Sequence, residues 1–467
     1  MKNFLLSLLL ALFSLQAGAT HLMGGEILIH DLKNGKHLLT MLIYRDTIGI
    51  PMDQFATFHF EGPFNQRFSR TTSYDSVISG NILPMYPYGV EIYLFMDTLS
   101  FPSAGHWEVY WEDCCRNAAI QNLTAPLSEK MVLKTSLEVG ATPNSTPFFL
   151  VPAAIFLPLN TPWQYNPLPF DVDGDSLYWR IDTPLTAANR YCAGYTDPAS
   201  DPSNPFSIDP VTGTLSWTAT NMGNYVASIL VEQYRNGQPV GHIRRDMQFI
   251  VVNPALGNPF WTSLSQFNLD SLGHYILNMV AGKKYHISLW ASHTDSTRTA
   301  ELAMAAYSEI FMDTSYQAGF QVKRPANLNG IEGVFSWEPA AKHIRNKPYL
   351  VTFRVSDGYF TDDKTFKIRV ETAVSLEQKR HKEGLKLYPN PADDQLIIEY
   401  EQSIGGQVNL GLIDLSGNKV MPDQTWMIKP GVNQLWLQTT KLPEGVYLLH
   451  VNNADGPMQT HTVVISH

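Results

Sequence analysis

After residue 20, no long stretch of this chain repeats its apolar residues with a helical period. Short alternating runs recur instead, as in Ile27 to His30, Leu38 to Tyr44 and His106 to Trp111, bounded by Gly, Pro, Asn and Asp. Such runs are strands with one buried face, and their regular spacing fits antiparallel sandwiches better than a parallel α/β sheet. The composition points the same way: aromatics make up 12% of the 467 residues and charged side chains only 16%, against an ordinary charged share of ~25%. The Trp107 and Trp111 pair has strand spacing and reads as core. One segment stands apart: Ala300 to Met312 carries an apolar pattern that predicts a helix within a β context.

The first residues set the compartment. Met1-Lys2-Asn3 is a short basic start, Phe4 to Leu15 is apolar, and Ala17-Gly18-Ala19 is a small-x-small cleavage site. This predicts a signal peptide over residues 1–19, too short to span a membrane, and no transmembrane segment once it is removed. With 33 basic and 43 acidic residues the formal charge is 33 − 43 = −10. Removing Lys2 with the leader makes it −11, and such an acidic balance excludes nucleic acid as a partner. Three cysteines exclude a disulfide scaffold. Cys114 and Cys115 are adjacent and Cys192 stands alone, so an oxidising exterior leaves one thiol over. A vicinal ring, a Cys192 bridge to one of the pair and no bridge all remain open.

Three punctuations divide the chain: Ala141 to Pro147, Asn253 to Pro259, and a polar run over Glu377 to Gly384. The expected organisation is a signal peptide (1–19), an N-terminal β domain (20–140), two sandwiches (141–254 and 255–374), a linker (375–384) and a small C-terminal sandwich (385–467). The sandwiches share an echo, since Gly333 to Pro339 repeats the second half of Phe206 to Trp217.

Three resemblances follow from quoted residues. Ile208, Asp209, Pro210, Thr212, Gly213, Leu215 and Trp217 resemble the "IDPxTGxLxW" turn of immunoglobulin-like and cadherin-like repeats in bacterial surface proteins. His21-Leu22-Met23-Gly24-Gly25-Glu26, Tyr44-Arg45-Asp46, Asp113 to Asn117, Tyr234 to Gly237 and Arg244 to Gln248 look together like the N-terminal half of exported Bacteroidota proteins with an HIVGGE-like opening. That likeness implies no defined activity. Tyr388-Pro389-Asn390-Pro391, Gly417 and Gly445 with Tyr447 resemble the type A C-terminal sorting domain of the type IX secretion system. Turn chemistry at Asp414 to Gly417 and Pro443 to Gly445 agrees with that likeness. It implies the secretion machinery as a partner and delivery through the periplasm to the cell surface or beyond.

Few residues carry chemistry. Asp171, Asp173 and Asp175 place three carboxylates at alternate positions, which suits either a hard cation or an Asx-rich turn at a strand entry. A strand follows them, which excludes an EF-hand, and the resemblance to the "DxDGDxL" turn of cadherin-like repeats implies calcium. Asp357, Asp362 and Asp363 form a looser version. No HExxH, GxSxG, GxGxxG or phosphate-binding glycine loop occurs. The expected protein is therefore all-β and non-enzymatic, made of serial immunoglobulin-like or cadherin-like sandwiches with a small sorting sandwich. Its expected task is adhesion, or binding of a surface ligand, glycan or protein. A secreted hydrolase of polysaccharide or protein and a ligand-free stalk are the alternatives.

Overall fold

A computed structural model describes residues 22–48, 51–79, 89–153, 155–199, 204–312, 314–325, 329–372, 385–402, 406–414, 419–453 and 459–467. The expected signal peptide, the linker and Gly417 lie outside the described residues. Regular structure is almost entirely strand, with only short 3-10 turns between. The chain forms two compact units, residues 1–370 and 371–467.

In the first unit, seven strands run from β1 (Leu22–Asp31) through β2 (His37–Asp46), β3 (Phe55–Glu61), β4 (Arg67–Ser79), β5 (Val90–Leu99) and β6 (Gly105–Asp113) to β7 (Met131–Val139). Three more join them: β8 (Ser176–Asp182), β9 (Gly223–Arg235) and β10 (Gln238–Val252). All are hydrogen-bonded in the order β1-β2-β5-β4-β3-β6-β7-β10-β9-β8, with Phe156–Pro158 added parallel to β10. The alternation read in the sequence is the cause. Met41, Ile43, Phe58, Phe60, Phe95, Trp107, Val109 and Trp111 all point into one core and are at most 3% exposed.

One edge of β10 closes this sheet on itself. Gly241 to Ile243 pair with Leu137 to Thr135 on β7, and three residues further along Asp246 and Met247 pair with Gly25 and Gly24 on β1. The expected boundary at residue 140 thus falls within one continuous sheet. Its physical reason is the length of the β9–β10 hairpin, whose 13 and 15 residues reach past their own core to cap the edges of the N-terminal strands.

Residues 259–371 form a two-sheet sandwich of four strands each. The helix expected over Ala300 to Met312 is absent. Ala303–Tyr307 is a strand between two 3-10 turns, paired with Thr352 to Ser356. Leu302 and Met304 alternate into the core, so pairing and period-two burial override the helix preference of Ala, Leu and Met. This sandwich is tied to the preceding segment by buried contacts. Phe156 bridges to Phe360, the Asn166 amide N–H donates to Asp363 at 3.1 Å, and Arg354 donates to the Pro152 carbonyl at 3.0 Å.

The second unit is a separate sandwich of three strands against four, with its own core of Leu396, Ile398, Leu412, Leu437, Leu449 and Val463.

Candidate functional site

The charged motifs scattered through the N-terminal half meet where β1, β7 and β10 join. Gly24 sits against Asp246 so closely that a Cβ would lie 2.2 Å from its carbonyl oxygen, and its φ of +149° further favours glycine. Beside it Glu26 and Arg245 form a bidentate ion pair, each side chain 2% exposed. Arg245 also donates to the Val151 carbonyl at 3.0 Å and the Tyr165 hydroxyl at 2.7 Å, and lies 4.0 Å over the Phe149 ring. One residue on, Asp246 takes both arms of Arg116 at 2.9 and 2.7 Å. Burial opposes the Arg116 cation, yet the Asp246 carboxylate outweighs it and holds the guanidinium pKa above its ordinary value. Arg45 pairs with Glu91 at 2.5 Å. These groups are charged, but they are paired with one another inside the fold.

Cys114 and Cys115 are bonded to each other, and Cys192 is a buried free thiol. Burial pushes the Cys192 thiol up to about 11, with Arg116 alongside opposing the shift.

The three expected aspartates divide into two roles. Asp171 Oδ1 accepts the backbone N–H groups of Asp173 and Asp175, each at 2.9 Å, around Gly174 at φ +83°. Asp173 turns away to accept the Ser145 N–H at 2.6 Å. Asp171 Oδ2 and Asp175 Oδ2 converge instead on Gln233 Nε2, both at 2.7 Å. The Asn144 Oδ1 and the Ser145 carbonyl reach the same nitrogen at 3.1 and 3.0 Å. Four oxygens thus surround one amide nitrogen that has two hydrogens, while Gln233 Oε1 is buried without a partner. Arg235 pairs bidentately with Asp175 at 2.7 Å, so three carboxylates face a single cation. Burial, reinforced by Asp175 and Asp173, pushes the Asp171 carboxyl up to about 6. Asn144, Ser145, Gln233 and Arg235 were not named by the spacing of the aspartates; only the fold brings them there. The looser trio is scattered among protein partners: Asp357 faces His293 at 3.2 Å, Asp362 pairs with Lys364 at 2.8 Å, and Asp363 holds Arg354 at 2.7 and 2.9 Å.

In the C-terminal unit the expected sorting residues staple the last strand. Asn390 accepts the Val464 N–H at 2.8 Å and donates to the Thr462 carbonyl at 2.9 Å. The peptide bonds before Pro389 and Pro391 are cis, and Ala392 continues the pairing with Val464 at 2.8 Å. The Tyr388 hydroxyl donates to Glu399 at 3.0 Å on the solvent face. Tyr447 is buried, packs over Gly445, and donates its hydroxyl to the Pro443 carbonyl at 2.7 Å.

Residues 386–466 match the secretion system C-terminal sorting domain. The match indicates secretion through the type IX system, to the cell surface or outside the cell. Among the described residues no helix is long and apolar enough to cross a membrane. No curated protein matches the chain. Among solved structures it is similar to a variant of an endo-fucoidan hydrolase from glycoside hydrolase family 107, at 15% identity and TM-score 0.18, covering 70% of this chain and 44% of that one. The chain thus spans less than half the length of that hydrolase. It is also similar to the human Desmocollin-1 ectodomain, at 13% identity and TM-score 0.18, covering 89% of this chain and 76% of that one. An ICAM-5 ectodomain fragment (D1–D4) has 10% identity and TM-score 0.17, covering 92% of this chain and 96% of that one.

Proposed function

We propose that this chain is a non-enzymatic display protein, whose first unit binds a surface glycan or protein after the second unit has directed its export. One observation carries this reading. The charged side chains that the sequence gathers into motifs are spent on buried pairs, Glu26 with Arg245 and Arg116 with Asp246. Their chemistry supports a rigid body and leaves ligand contact to the outer sheet faces.

Calcium belongs to the same reading. Two buried carboxylates, an amide oxygen and a carbonyl oxygen converge within 2.7 to 3.1 Å of Gln233 Nε2. This is an oxygen set suited to a hard cation, and rotating the Gln233 amide adds Oε1 as a fifth oxygen. In this reading the cation binds Asp171, Asp175, Asn144, Ser145 and Gln233, while the Asp173 side chain stays on the Ser145 N–H.

Three experiments test these statements. Removing residues 385–467 abolishes surface delivery if the tail is the address, and continued normal delivery removes that role. The mature chain is expected to turn over neither polysaccharides nor casein, and sustained turnover of either favours the hydrolase alternative. For calcium, the melting temperature of the mature chain rises in calcium over chelator, and Asp175→Asn cancels the rise. Equal melting temperatures in both conditions dismiss the cation.

A further inference from the structure

We infer that the outer face of the β7-β10-β9-β8 sheet carries a binding cleft for a neutral saccharide, an inference that rests on the display reading above and names its ligand class. The short strands Leu185–Ala187 and Arg190–Tyr191 form a hairpin that folds over this face. Between hairpin and sheet lies a cleft of about 360 Å³, near the lower end of the ~300–1,000 Å³ usual for small-ligand sites.

Register places the row of side chains that crosses it, of which Glu232 and His242 line the cleft. Tyr178 on β8 stands opposite Glu232 on β9, Glu232 opposite His242 on β10, and His242 opposite Ser136 on β7. Directly opposed residues share a face, so these four form one row. Arg180, Leu230 and Arg244 form the neighbouring row.

The polar groups of the cleft fall into two sets. Lys134 is saturated by Glu108 at 2.8 Å, Asn189 at 2.9 Å and the Ala188 carbonyl at 3.1 Å. Arg244 is held by Asp182 at 2.6 Å and the Thr183 carbonyl at 3.1 Å. These pairs build the walls. Arg180 is different: among the described residues its one ion pair is to Asp182 at 2.9 Å, with Glu232 and Tyr191 acting on it at longer range. The Glu232 carboxylate has no hydrogen-bonded or ion-paired partner among the described residues. Arg180 and Glu232 are diagonal neighbours on adjacent strands, yet they do not pair with each other.

A donor and an acceptor held apart, of opposite charge, disfavour a ligand that is itself strongly charged, because one of the two would face its own sign. A polyol matches both, since each hydroxyl donates and accepts. Two tyrosines complete the set. Tyr191 on the hairpin lines the cleft, is 51% exposed and has the Arg244 guanidinium 6.0 Å over its ring, and Tyr178, in the Glu232 row just outside the lining, is 53% exposed. Their rings offer the flat apolar surface on which the C–H face of a pyranose stacks, while each phenol remains free to hydrogen-bond. Aromatic faces beside a guanidinium with one partner and an unpaired carboxylate select a neutral sugar over an apolar or an ionic ligand.

The test uses the mature full chain and saturation-transfer NMR with three groups of soluble probes: neutral tetrasaccharides (cello-, xylo- and manno-), a uronate tetrasaccharide, and a short acidic peptide. Saturation transfer to at least one neutral tetrasaccharide is expected. Tyr191→Ala and Glu232→Gln should each weaken its Kd by roughly tenfold, with no change in melting temperature because both side chains leave the core untouched. Tyr178→Ala serves as a second aromatic variant. Absence of transfer to every neutral probe overturns the inference, as does a Kd unchanged in all three variants. Binding of only the uronate or the peptide also overturns the neutral-saccharide assignment, but leaves the display reading standing; sustained turnover of polysaccharide or casein by the mature chain would strike the display reading itself.

Discussion

Arg245 and Glu26 show how much depends on single residues in this fold. Each is about 2% exposed, and removing one member of a buried pair leaves the other charged, desolvated and unpaired. Arg245→Met alone is expected to destabilise the first unit by about 3–5 kcal/mol, read from urea midpoints. Replacing both residues with apolar ones of similar volume should recover most of the loss, because the stranded charge then disappears. A second residue-scale prediction concerns pH. Burial, with Arg244 and Lys134 nearby, pushes His242 down to about 3. The folded state therefore binds fewer protons than the unfolded one between pH 3 and 6.5, and stability from this residue is lost as pH falls through that window. Asp171 has the opposite slope. Its folded pKa of about 6 lies above its ordinary 3.8, so its contribution is fully present below 3.8 and is lost as pH rises towards 6. Urea midpoints between pH 7 and 4 should show His242→Gln losing less stability on acidification than the parent, and Asp171→Asn losing more. Parallel curves for all three proteins would remove both assignments.

Among elements, the β9–β10 hairpin decides what is a folding unit. A fragment ending at residue 140 keeps β1 to β7 but lacks Arg245, Asp246 and the edge that receives Gly24 and Gly25. Such a fragment is expected to bind a hydrophobic dye and to melt without cooperativity, whereas residues 22–370 melt sharply. A well-folded 22–140 fragment would show that β10 is an accessory to that core. The same hairpin explains what the sequence could and could not disclose. Strands such as β2 and β6 were legible because Met41, Ile43, Trp107 and Trp111 alternate within a few residues. The Asp209 to Gly213 turn was legible because Asp209 caps it locally, accepting the N–H of Thr212 at 2.6 Å. Glu26 and Arg245 lie 219 residues apart, and no local spacing announces that they meet. Ala300 to Met312 misled for the reverse reason: its local preference was clear, but a distant partner strand overrode it. At the oxygen cluster around Gln233, Asp171 and Asp175 could be picked out by spacing, while Asn144 and Gln233 come from other segments. The cleft was invisible, since Arg180, Tyr191 and Glu232 sit singly on three strands.

For the whole molecule, the sorting-domain match falls along the same line as the cores. The tail has its own buried cluster, from Ala392 to Ile465, and the hydrogen bonds of Asn390, one of the expected sorting residues, lie within that unit. Residues 385–467 are therefore expected to fold alone, with near-ultraviolet circular dichroism and a cooperative melt, and to send a fused carrier protein to the surface. Asn390→Ala should loosen the terminal strand and lower that melting temperature, and no change would show that the staple is redundant. The first unit behaves differently in time. β1 pairs with β2 along nine residues and receives Asp246 and Met247 of β10 on its other edge, so that second edge is covered only once residues near 247 have been synthesised. The order in which the chain emerges thus becomes a clock: the closed sheet of the first unit cannot be completed until its late hairpin has arrived.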